Sequence, residues 1–177
     1  MAKEQAFLAN GLMAIGTAIE RENFCDHPEL LVSTIRLWAW RRVRNGLEVL
    51  VRKRSMSKKS YPDMLDISAA GHRDEDEETI VSVIREAREE IGREVDPQNL
   101  EFAFSLRKIN VSNCIATVYL YGVDDQFVPH FDDGEVESAE WLGFADFSKI
   151  TSDSESNNFA NHDTGYFTLL PERLCRL

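Results

Sequence analysis

Residues 71–92 read GHRDEDEETIVSVIREAREEIG, a glycine-led loop that runs into a segment with helical periodicity. Apolar side chains recur at the spacing of one helix face: Ile80, Val83, Ile84, Ala87 and Ile91. At about 100° per residue, Glu86, Glu89 and Glu90 fall within roughly a third of a turn beside that face. The pattern predicts a helix over about 77–91 that packs one face on a core and presents clustered carboxylates on the next.

The three clustered carboxylates carry like charges, which repel one another and destabilise an isolated helix. A hard divalent cation would relieve this repulsion, because Mg²⁺ takes carboxylate oxygens as ligands and keeps waters for substrate phosphates. A solvated acidic helix is the alternative interpretation. It does not explain why Gly71, Glu77 and Gly92 lie at fixed distances from the cluster. We therefore expect a site for Mg²⁺, or for Mn²⁺, on this helix.

The same stretch resembles the Nudix box, the signature of Mg²⁺-dependent hydrolases that cleave diphosphate linkages. Every fixed polar and glycine position of that box is present: Gly71, Glu77, Arg85, Glu86, Glu89, Glu90 and Gly92. The last position of the box is usually aliphatic and is Arg93 here, which weakens a packing contact more than the chemistry. The resemblance implies an α+β protein with the Nudix fold, in which a mixed β-sheet lies between helices as an α/β/α sandwich. The periodicities themselves support only a mixture of α and β.

The resemblance also implies roles for the residues of the box. Glu86, Glu89 and Glu90, with the carbonyl of Gly71, would hold one to three Mg²⁺ or Mn²⁺ ions that bridge the diphosphate and acidify a water. One glutamate of the trio, or one from a later loop, would accept the proton of that water. Arg85 would orient the carboxylates.

Two acidic residues outside the cluster have predicted roles of their own. Glu77 is expected to stabilise the helix N-terminus through the helix dipole. Glu135 is the candidate for the general base from a later loop, because residues 133–142 are similar to the strand after which the family often places an extra acid. Glu137 takes its place if the register slips by two. A solvated acidic turn is the alternative interpretation of this stretch.

The resemblance extends to the branch of the family that contains isopentenyl-diphosphate isomerase. It rests on two further runs: Arg54-Ser55-x2-Lys58-Lys59-x-Tyr61-Pro62 and Leu65-Asp66-x-Ser68-x2-Gly71-His72. In this branch the residues that match Arg54 and Lys58 contact the substrate diphosphate, whereas a solvated basic loop is the alternative here. The isomerase needs a cysteine where this chain has Ala70, and its upstream metal-binding histidines are incomplete. Hydrolysis is therefore favoured over isomerisation.

The composition is that of an ordinary enzyme, with 43% hydrophobic and 29% charged residues in a chain of 177. The net charge of −11 repels nucleic acid and anionic lipid, so an anionic substrate would need local cations or a metal to approach. Three widely spaced cysteines suggest neither a zinc site nor a disulfide framework. With no secretory apolar core and no long apolar run, we expect a cytoplasmic protein that contacts neither membrane nor nucleic acid. A homodimer is compatible with the resemblance, since family members are often dimers.

The length suggests one domain over 1–177. It would comprise an N-terminal hairpin at 7–19, a core at about 31–150 and a C-terminal extension at 151–177. A helix over 4–20 is the alternative for the first segment, although its two glycines count against it.

Alternation and turn residues predict the elements of the core. Strands are expected at 31–41, 47–51, 65–69, 101–109, 114–121 and 135–142. The Asn-Gly pair at 45–46 joins the first two as a hairpin, and 52–62 forms a basic loop. A helix begins at 144–150, and 151–161 is a polar loop. The terminal 169–177 is either a docked helix or a frayed tail.

Three functions remain open from the sequence. The favoured one is a metal-dependent hydrolase of a diphosphate linkage in a nucleoside diphosphate derivative or related compound. The others are an isomerase-like enzyme, disfavoured by Ala70, and a non-catalytic Nudix module that binds a nucleotide or a protein. The residues of the box do not indicate which substrate is cleaved. Similarity of 61–66 and 133–138 to Nudix domains associated with thiamine diphosphate metabolism adds a thiamine diphosphate derivative as one candidate.

Substrate specificity would come from the loops at 105–114 and 124–134 and from the C-terminal residues. Three tryptophans are candidates for stacking on a nucleobase: Trp38, Trp40 and Trp141. Aromatic residues on strands are more often part of the core.

Overall fold

The described part of the computed structural model comprises residues 3–8, 17–20, 30–74, 76–108, 114–131, 135–153, 158–160 and 164–177. These residues form nine strands: β1 (Lys3–Leu8), β2 (Thr17–Glu20), β3 (Leu30–Val43), β4 (Gly46–Arg54), β5 (Leu65–Asp66), β6 (Ala69–His72), β7 (Leu100–Lys108), β8 (Cys114–Gly122) and β9 (Val136–Gly143). They also form three α-helices: α1 (Thr79–Ile91), α2 (Phe144–Ser152) and α3 (Thr164–Leu174).

The sheet is organised around β3, which is 14 residues long. One edge of β3 pairs in parallel with β8 from Val32 to Trp40. Its other edge pairs antiparallel with β1, β6 and β4 in succession. Farther from β3, strand β4 pairs with β9 and β5, and strand β7 pairs with β8. The sheet is therefore mixed, as predicted.

Side chains alternate across the sheet into two apolar layers, because successive residues of a strand point to opposite faces. Trp38, Val49 and Val51 join a buried cluster with residues of α2 and α3. Leu37 and Leu50 join a second cluster with residues of α1. The sheet thus lies between α1 on one face and α2 with α3 on the other. The α+β class and the predicted α/β/α sandwich are confirmed.

Helix α1 begins at Thr79, later than the predicted start at about 77, and ends at Ile91. Gly92 follows in the left-handed conformation (φ 66°), and its amide donates to the carbonyl of Ala87. Glycine adopts this conformation without the cost that a Cβ would bring, so it ends the helix. Glu77 consequently lies outside the helix.

Strand β4 runs farther than the sequence predicted. The predicted basic loop at 52–62 begins only at Ser55, because Arg52 and Lys53 pair with β5 and residues up to Arg54 pair with β9. The short predicted strand at 65–69 is divided into β5 and β6.

Two hairpins were predicted, one at 7–19 and one from the Asn-Gly pair at 45–46. Residues 44–45 turn between β3 and β4, and Gly46 has φ 137°. Strands β1 and β2 pair antiparallel, from Lys3 opposite Glu20 to Ala6 opposite Thr17. The turn of the hairpin predicted at 7–19 lies outside the described residues.

The C-terminal segment contributes to the core. The predicted polar loop at 151–161 is wrong at Phe159 and Ala160, which are buried and joined to β5 by a hydrogen bond from the Ala160 amide to the Leu65 carbonyl. Of the two alternatives for the terminus, the docked helix is observed. The buried residues of α3 are Tyr166, Phe167, Leu170 and Leu174. None of the helices in the described ranges has the length and apolar character to span a bilayer.

Candidate active site

The acidic cluster lies where α1 meets β6. Val83 and Ala87 are fully buried against the sheet, which fixes the rotation of the helix. The adjacent face of α1, with Glu86 and Glu90, therefore meets the backbone of β6.

Gly71 in β6 leaves the space that the Glu86 carboxylate occupies. A Cβ on Gly71 would lie 1.8 Å from Oε1 and 2.0 Å from Cδ of Glu86. Glu86 is only 8% exposed. Burial raises the pKa of its carboxyl, although the charge of Arg85 opposes this shift. Gly71 and Glu86, the first glutamate of the acidic cluster, are thus coupled by direct packing.

Arg85 donates hydrogen bonds to Glu77, Glu86 and Glu89, and its Nε lies 3.9 Å from Asp74 Oδ2. Its Nη1 donates to Glu86 at 2.6 Å and to Glu89 at 3.4 Å. Its Nε and Nη2 donate to the two carboxylate oxygens of Glu77, both at 3.0 Å, and Nη2 also donates to the carbonyl of His72. The hydrogen bonds that Arg85 donates to Glu77, and the charge of Glu86, hold the pKa of Arg85 above its ordinary value. A residue with these contacts can orient the acidic cluster.

Glu77 links the loop before α1 to the helix through side chains. Besides Arg85, its carboxylate accepts from Ser82 Oγ at 2.8 Å and from the amide of Asp74 at 3.2 Å. Burial alone would raise the pKa of Glu77, but the hydrogen bonds from Arg85, Ser82 and Asp74 lower it below its ordinary value. These contacts hold Glu77 beside the first turn of α1, and its helix-dipole role stays a prediction.

Glu90 points into the protein and meets a buried arginine. Its Oε2 accepts from the amide of Ala70 at 2.6 Å and from Arg52 Nη2 at 3.0 Å. Arg52 is 6% exposed and also donates through Nε to the carbonyl of Ile67. Burial raises the pKa of Glu90 to about 7, although the charge of Arg52 lowers it, and the charge of Glu86 adds to the rise. Arg52 was not predicted as a site residue, because residues 52–62 were assigned to a loop.

The three glutamates differ in exposure. The side chain of Glu89 is 52% exposed, whereas those of Glu86 and Glu90 are 11% and 17% exposed. Within the described residues, no three His, Cys, Asp or Glu side chains are arranged as a set of metal ligands. The positive charge beside the cluster comes from Arg85 and Arg52.

A small cavity that is partly open to solvent adjoins the acidic cluster. Its lining is almost entirely charged: Arg52, Lys53, Arg54, Lys58, Asp66, Glu90, Glu135 and Val136. The structure therefore brings four residues that the sequence singled out, Arg54, Lys58, Glu90 and Glu135, to one place. The other lining residues, which were not predicted as site residues, are Arg52, Lys53, Asp66 and Val136. They lie on strands and come together only through strand pairing between distant parts of the chain.

The predicted phosphate-contacting residues Arg54 and Lys58 have different surroundings. Arg54 donates to Asp66 at 2.6 Å and to the carbonyls of Ser60 and Tyr61, so its guanidinium holds the loop after β4. Lys58 forms an ion pair with Glu135.

The departure from the box at Arg93 has a structural explanation. Its guanidinium lies 5.9 Å from the ring centroid of Tyr121 and 5.2 Å from that of Phe127. Cation–π contacts thus replace the aliphatic packing that the box usually provides.

The tryptophans contribute to packing. Trp38 is fully buried and donates to the hydroxyl of Tyr166 at 2.7 Å, which excludes it from stacking on a nucleobase. Trp141 is half-buried, and Arg41 covers its ring at 4.2 Å.

Comparison with known proteins identifies the family. The NUDIX domain family matches residues 37–162, which include the acidic helix and the strands that position it. The chain belongs to this family. No curated protein matches the chain.

Solved structures with the same fold span most of the chain. DR0079 from Deinococcus radiodurans has a TM-score of 0.69 and 23% identity over 98% of both chains. An Ap4A hydrolase from C. elegans, in a binary complex, has a TM-score of 0.59 and 17% identity over 83% of this chain and 100% of its own. A bifunctional NMN adenylyltransferase/ADP ribose pyrophosphatase from Francisella tularensis, solved with AMP and a Mn ion, has a TM-score of 0.55 and 18% identity over 81% and 42%. At these identities the likeness shows the fold.

Proposed function

We propose that this protein is a divalent-metal-dependent hydrolase that cleaves a diphosphate linkage in a nucleoside diphosphate derivative or a related compound. The observation that supports this most is the junction of two charged regions. The carboxylates of α1 reach the edge of a cavity through Glu90, and four cations line the same cavity. Carboxylates can coordinate hard cations, and the basic residues can bind phosphate oxygens.

The donor set fits Mg²⁺ or Mn²⁺ chemically. Glu86, Glu89 and Glu90 supply only hard oxygen ligands, and the charge of Glu86 disfavours ionisation of Glu90. A divalent cation would relieve this repulsion, with the carbonyl of Gly71 as a further ligand. When bound, the cation neutralises charge on the diphosphate and acidifies water.

The residues of the chain have distinct roles in this proposal. Arg85 orients Glu86 and Glu89, while Lys58 and Arg54 compensate the charge of the phosphates. Glu135, or one glutamate of the trio, accepts a proton from the attacking water. A bond forms between the water oxygen and phosphorus, and the leaving phosphate departs with the electron pair of the broken bond.

A hydrolase is favoured over the two alternatives. Ala70 has no group that can transfer a proton to carbon, which counts against the isomerase-like branch. A non-catalytic module would not need the complete set of box residues. The Ap4A hydrolase and the ADP ribose pyrophosphatase among the structures of the same fold support nucleoside diphosphate derivatives as the first substrates to test.

The experiment is product release from a panel of compounds with Mg²⁺ or Mn²⁺. The panel contains nucleoside triphosphates, dinucleoside polyphosphates, nucleotide sugars, ADP-ribose, thiamine diphosphate and isopentenyl diphosphate. Glu89→Gln is the test variant, because Glu89 is half exposed and has only a long contact to Arg85. Glu94→Gln, an exposed glutamate beyond α1, is the matched control.

We expect metal-dependent cleavage that Glu89→Gln reduces by roughly a hundredfold or more and that Glu94→Gln retains. Cleavage that is equal in the wild type and in Glu89→Gln would contradict the proposal. Binding of a nucleotide with no cleavage of any compound would favour the non-catalytic module.

A further inference from the structure

Two arginines divide the glutamates of the acidic cluster between them. Arg85 donates to Glu86 and Glu89, its neighbours on α1. Glu90 is paired instead with Arg52, whose Nη2 donates to Glu90 Oε2 at 3.0 Å. Arg52 comes from a strand that is distant in the sequence, so the sheet itself supplies a partner to this glutamate.

Strand pairing fixes the backbone of Arg52 on both edges of β4. Arg52 lies opposite Asp66 of β5 and opposite Ala139 of β9. Its side chain is buried, which leaves the guanidinium few other positions. A side chain on paired strands is held more precisely than one on a loop.

The guanidinium of Arg52 joins β4 to two other parts of the chain. Its Nε donates to the carbonyl of Ile67, between β5 and β6, at 2.8 Å, while its Nη2 donates to Glu90 on α1. The guanidinium is planar and its N–H directions are fixed, so the bond to Ile67 sets the direction of the bond to Glu90. A lysine has a single nitrogen and cannot reproduce the two bonds together.

The carboxylate of Glu90 is held through one of its two oxygens. Oε2 accepts from Arg52 Nη2 and, at 2.6 Å, from the amide of Ala70 in β6. Within the described part of the chain, no hydrogen bond ends on Oε1. Two donors from different strands therefore restrict the carboxylate, while Oε1 keeps its lone pairs for a further ligand.

We propose that Arg52 is a positioning residue of the metal site: its guanidinium holds the Glu90 carboxylate in place, so that binding of a divalent cation depends on the geometry of this arginine. Its charge alone would oppose a nearby cation, because like charges repel. Residues that orient metal ligands commonly change metal affinity by roughly 10–100-fold. This inference rests on the proposed function, in which Glu90 is a metal ligand.

The test measures binding of Mn²⁺ to the metal-free protein without substrate, by electron paramagnetic resonance of the free ion. It compares the wild type, Arg52→Lys, Arg52→Met, Glu90→Gln and the double variant Arg52→Lys/Glu90→Gln. Arg52→Met leaves a buried carboxylate without its partner and can lose stability. Arg52→Lys keeps the charge, so it preserves the test if Arg52→Met does not fold. Circular dichroism of each variant reports folding.

Arg41→Lys is the matched control. Arg41 is also a strand arginine that joins a carboxylate to a backbone carbonyl, because it donates to Glu48 at 2.8 Å and to the carbonyl of Asp125 at 3.2 Å. It does not line the cavity. A loss of Mn²⁺ affinity that comes only from weakening the sheet should therefore appear in this variant as well.

We expect Arg52→Lys and Arg52→Met each to weaken Mn²⁺ binding by roughly 10–100-fold, and Arg41→Lys to bind Mn²⁺ as the wild type does. In the Glu90→Gln background, Arg52→Lys should have no further effect, because the carboxylate through which it acts is absent. In the metal-free protein, the amide of Ala70 should exchange its hydrogen faster in Arg52→Lys, because Glu90 is held less firmly against it.

Four results would overturn the positioning role. They are wild-type affinity in Arg52→Lys, tighter binding in Arg52→Met, an equal loss in Arg41→Lys, and a loss from Arg52→Lys that persists in Glu90→Gln. Tighter binding in Arg52→Met would mean that Arg52 acts only as a repelling charge.

These results are separate from the test of the proposed function. Cleavage that depends on Mn²⁺ and on Glu89, together with normal Mn²⁺ binding in Arg52→Lys, would retain the hydrolase and reject the positioning role. A wild type that binds no Mn²⁺ would contradict both.

Discussion

At the scale of single residues, Gly71 shows why the box requires a glycine. Its φ is not in the left-handed region, so backbone conformation is not the reason. A Cβ here would lie 1.8 Å from Glu86 Oε1. We predict that Gly71→Ala displaces the Glu86 carboxylate and lowers kcat by roughly a hundredfold. The free energy of unfolding should fall by only about 1–3 kcal/mol. Urea unfolding and steady-state kinetics on the same preparation measure both effects.

Gly143→Ala is the matched control for this prediction. A Cβ at Gly143 would meet only Asp146 Oδ2, at 4.0 Å, so both activity and stability should stay close to those of the wild type. Retained activity in Gly71→Ala would show that the Glu86 carboxylate can move without loss of function.

Residues of the site were predictable where their partners are close along the chain. Arg85, Glu86 and Glu89 follow from the spacing of one helix, and the contacts of Arg85 with the two glutamates span 1 and 4 residues. Arg52 was not predictable in this way, because Glu90 is 38 residues away and only the pairing of β4 brings the two together. The space at Gly71 likewise depends on a strand meeting a helix.

At the scale of elements, the loop between β4 and β5, residues 55–64, is held in an uncommon conformation. Tyr61 and Asp63 have positive φ, 53° and 64°, which costs a side-chain-bearing residue about 1–2 kcal/mol. Arg54 opposes this cost through hydrogen bonds to the carbonyls of Ser60 and Tyr61.

We predict that Arg54→Lys loosens this loop, because a lysine has one point charge and cannot reproduce the donors of the guanidinium. Amide hydrogen exchange in the loop should become faster, and KM should rise more than kcat falls. Hydrogen exchange followed by mass spectrometry, with α1 as the internal reference, makes the measurement. Unchanged exchange in the loop together with a higher KM would mean that Arg54 acts on the substrate phosphates alone and does not hold the loop.

The elements themselves were predictable to different degrees. Apolar, β-forming residues identified β3, β4 and β8. Buried residues alternate in β8, whereas β3 and β4 each bury at least four residues in a row, because helices cover both faces of the sheet. The extension of β4 to Arg54 was missed, since its charged residues are stabilised by β5 and β9 rather than by their own pattern. Phe159 was not predicted to be buried, because the residues around it are rich in Ser and Asn. In the structure it forms an isolated β-bridge with Leu65.

At the scale of the whole molecule, Tyr166 joins α3 to the central strand. It is fully buried, and its hydroxyl accepts from Trp38 Nε1 at 2.7 Å. The guanidinium of Arg36 lies 5.1 Å from its ring centroid. We predict that Tyr166→Phe lowers the free energy of unfolding by about 1–3 kcal/mol at neutral pH, because the indole N–H is left buried without its acceptor.

The contribution of Tyr166 to the free energy of unfolding should depend on pH. Burial raises the pKa of Tyr166 above its ordinary value, although the charge of Arg36 opposes this shift. As pH rises, the folded state therefore retains the phenol proton to a higher pH than the unfolded state does. This contribution to stability is complete below the unfolded pKa of about 10 and is lost as pH rises through the folded pKa. Urea unfolding between pH 8 and about 11 should show a steeper loss in the wild type than in Tyr166→Phe. Parallel curves would contradict the assignment.

The carboxylates of α1 lead to a prediction about the thermal stability of the protein in the presence of metal. A ligand that binds only the folded state stabilises it by about 2.7 kcal/mol at a hundred times its Kd, so Mg²⁺ should raise the melting temperature and a chelator should reverse the rise. Ionic screening of the net charge of −11 would also stabilise the protein, and KCl at equal ionic strength measures that part. The excess produced by Mg²⁺ should shrink in Glu89→Gln and persist in Glu94→Gln. An excess of equal size in both variants would mean that the cation stabilises the molecule through its overall charge, and the acidic face of α1 would then have no specific part in metal binding.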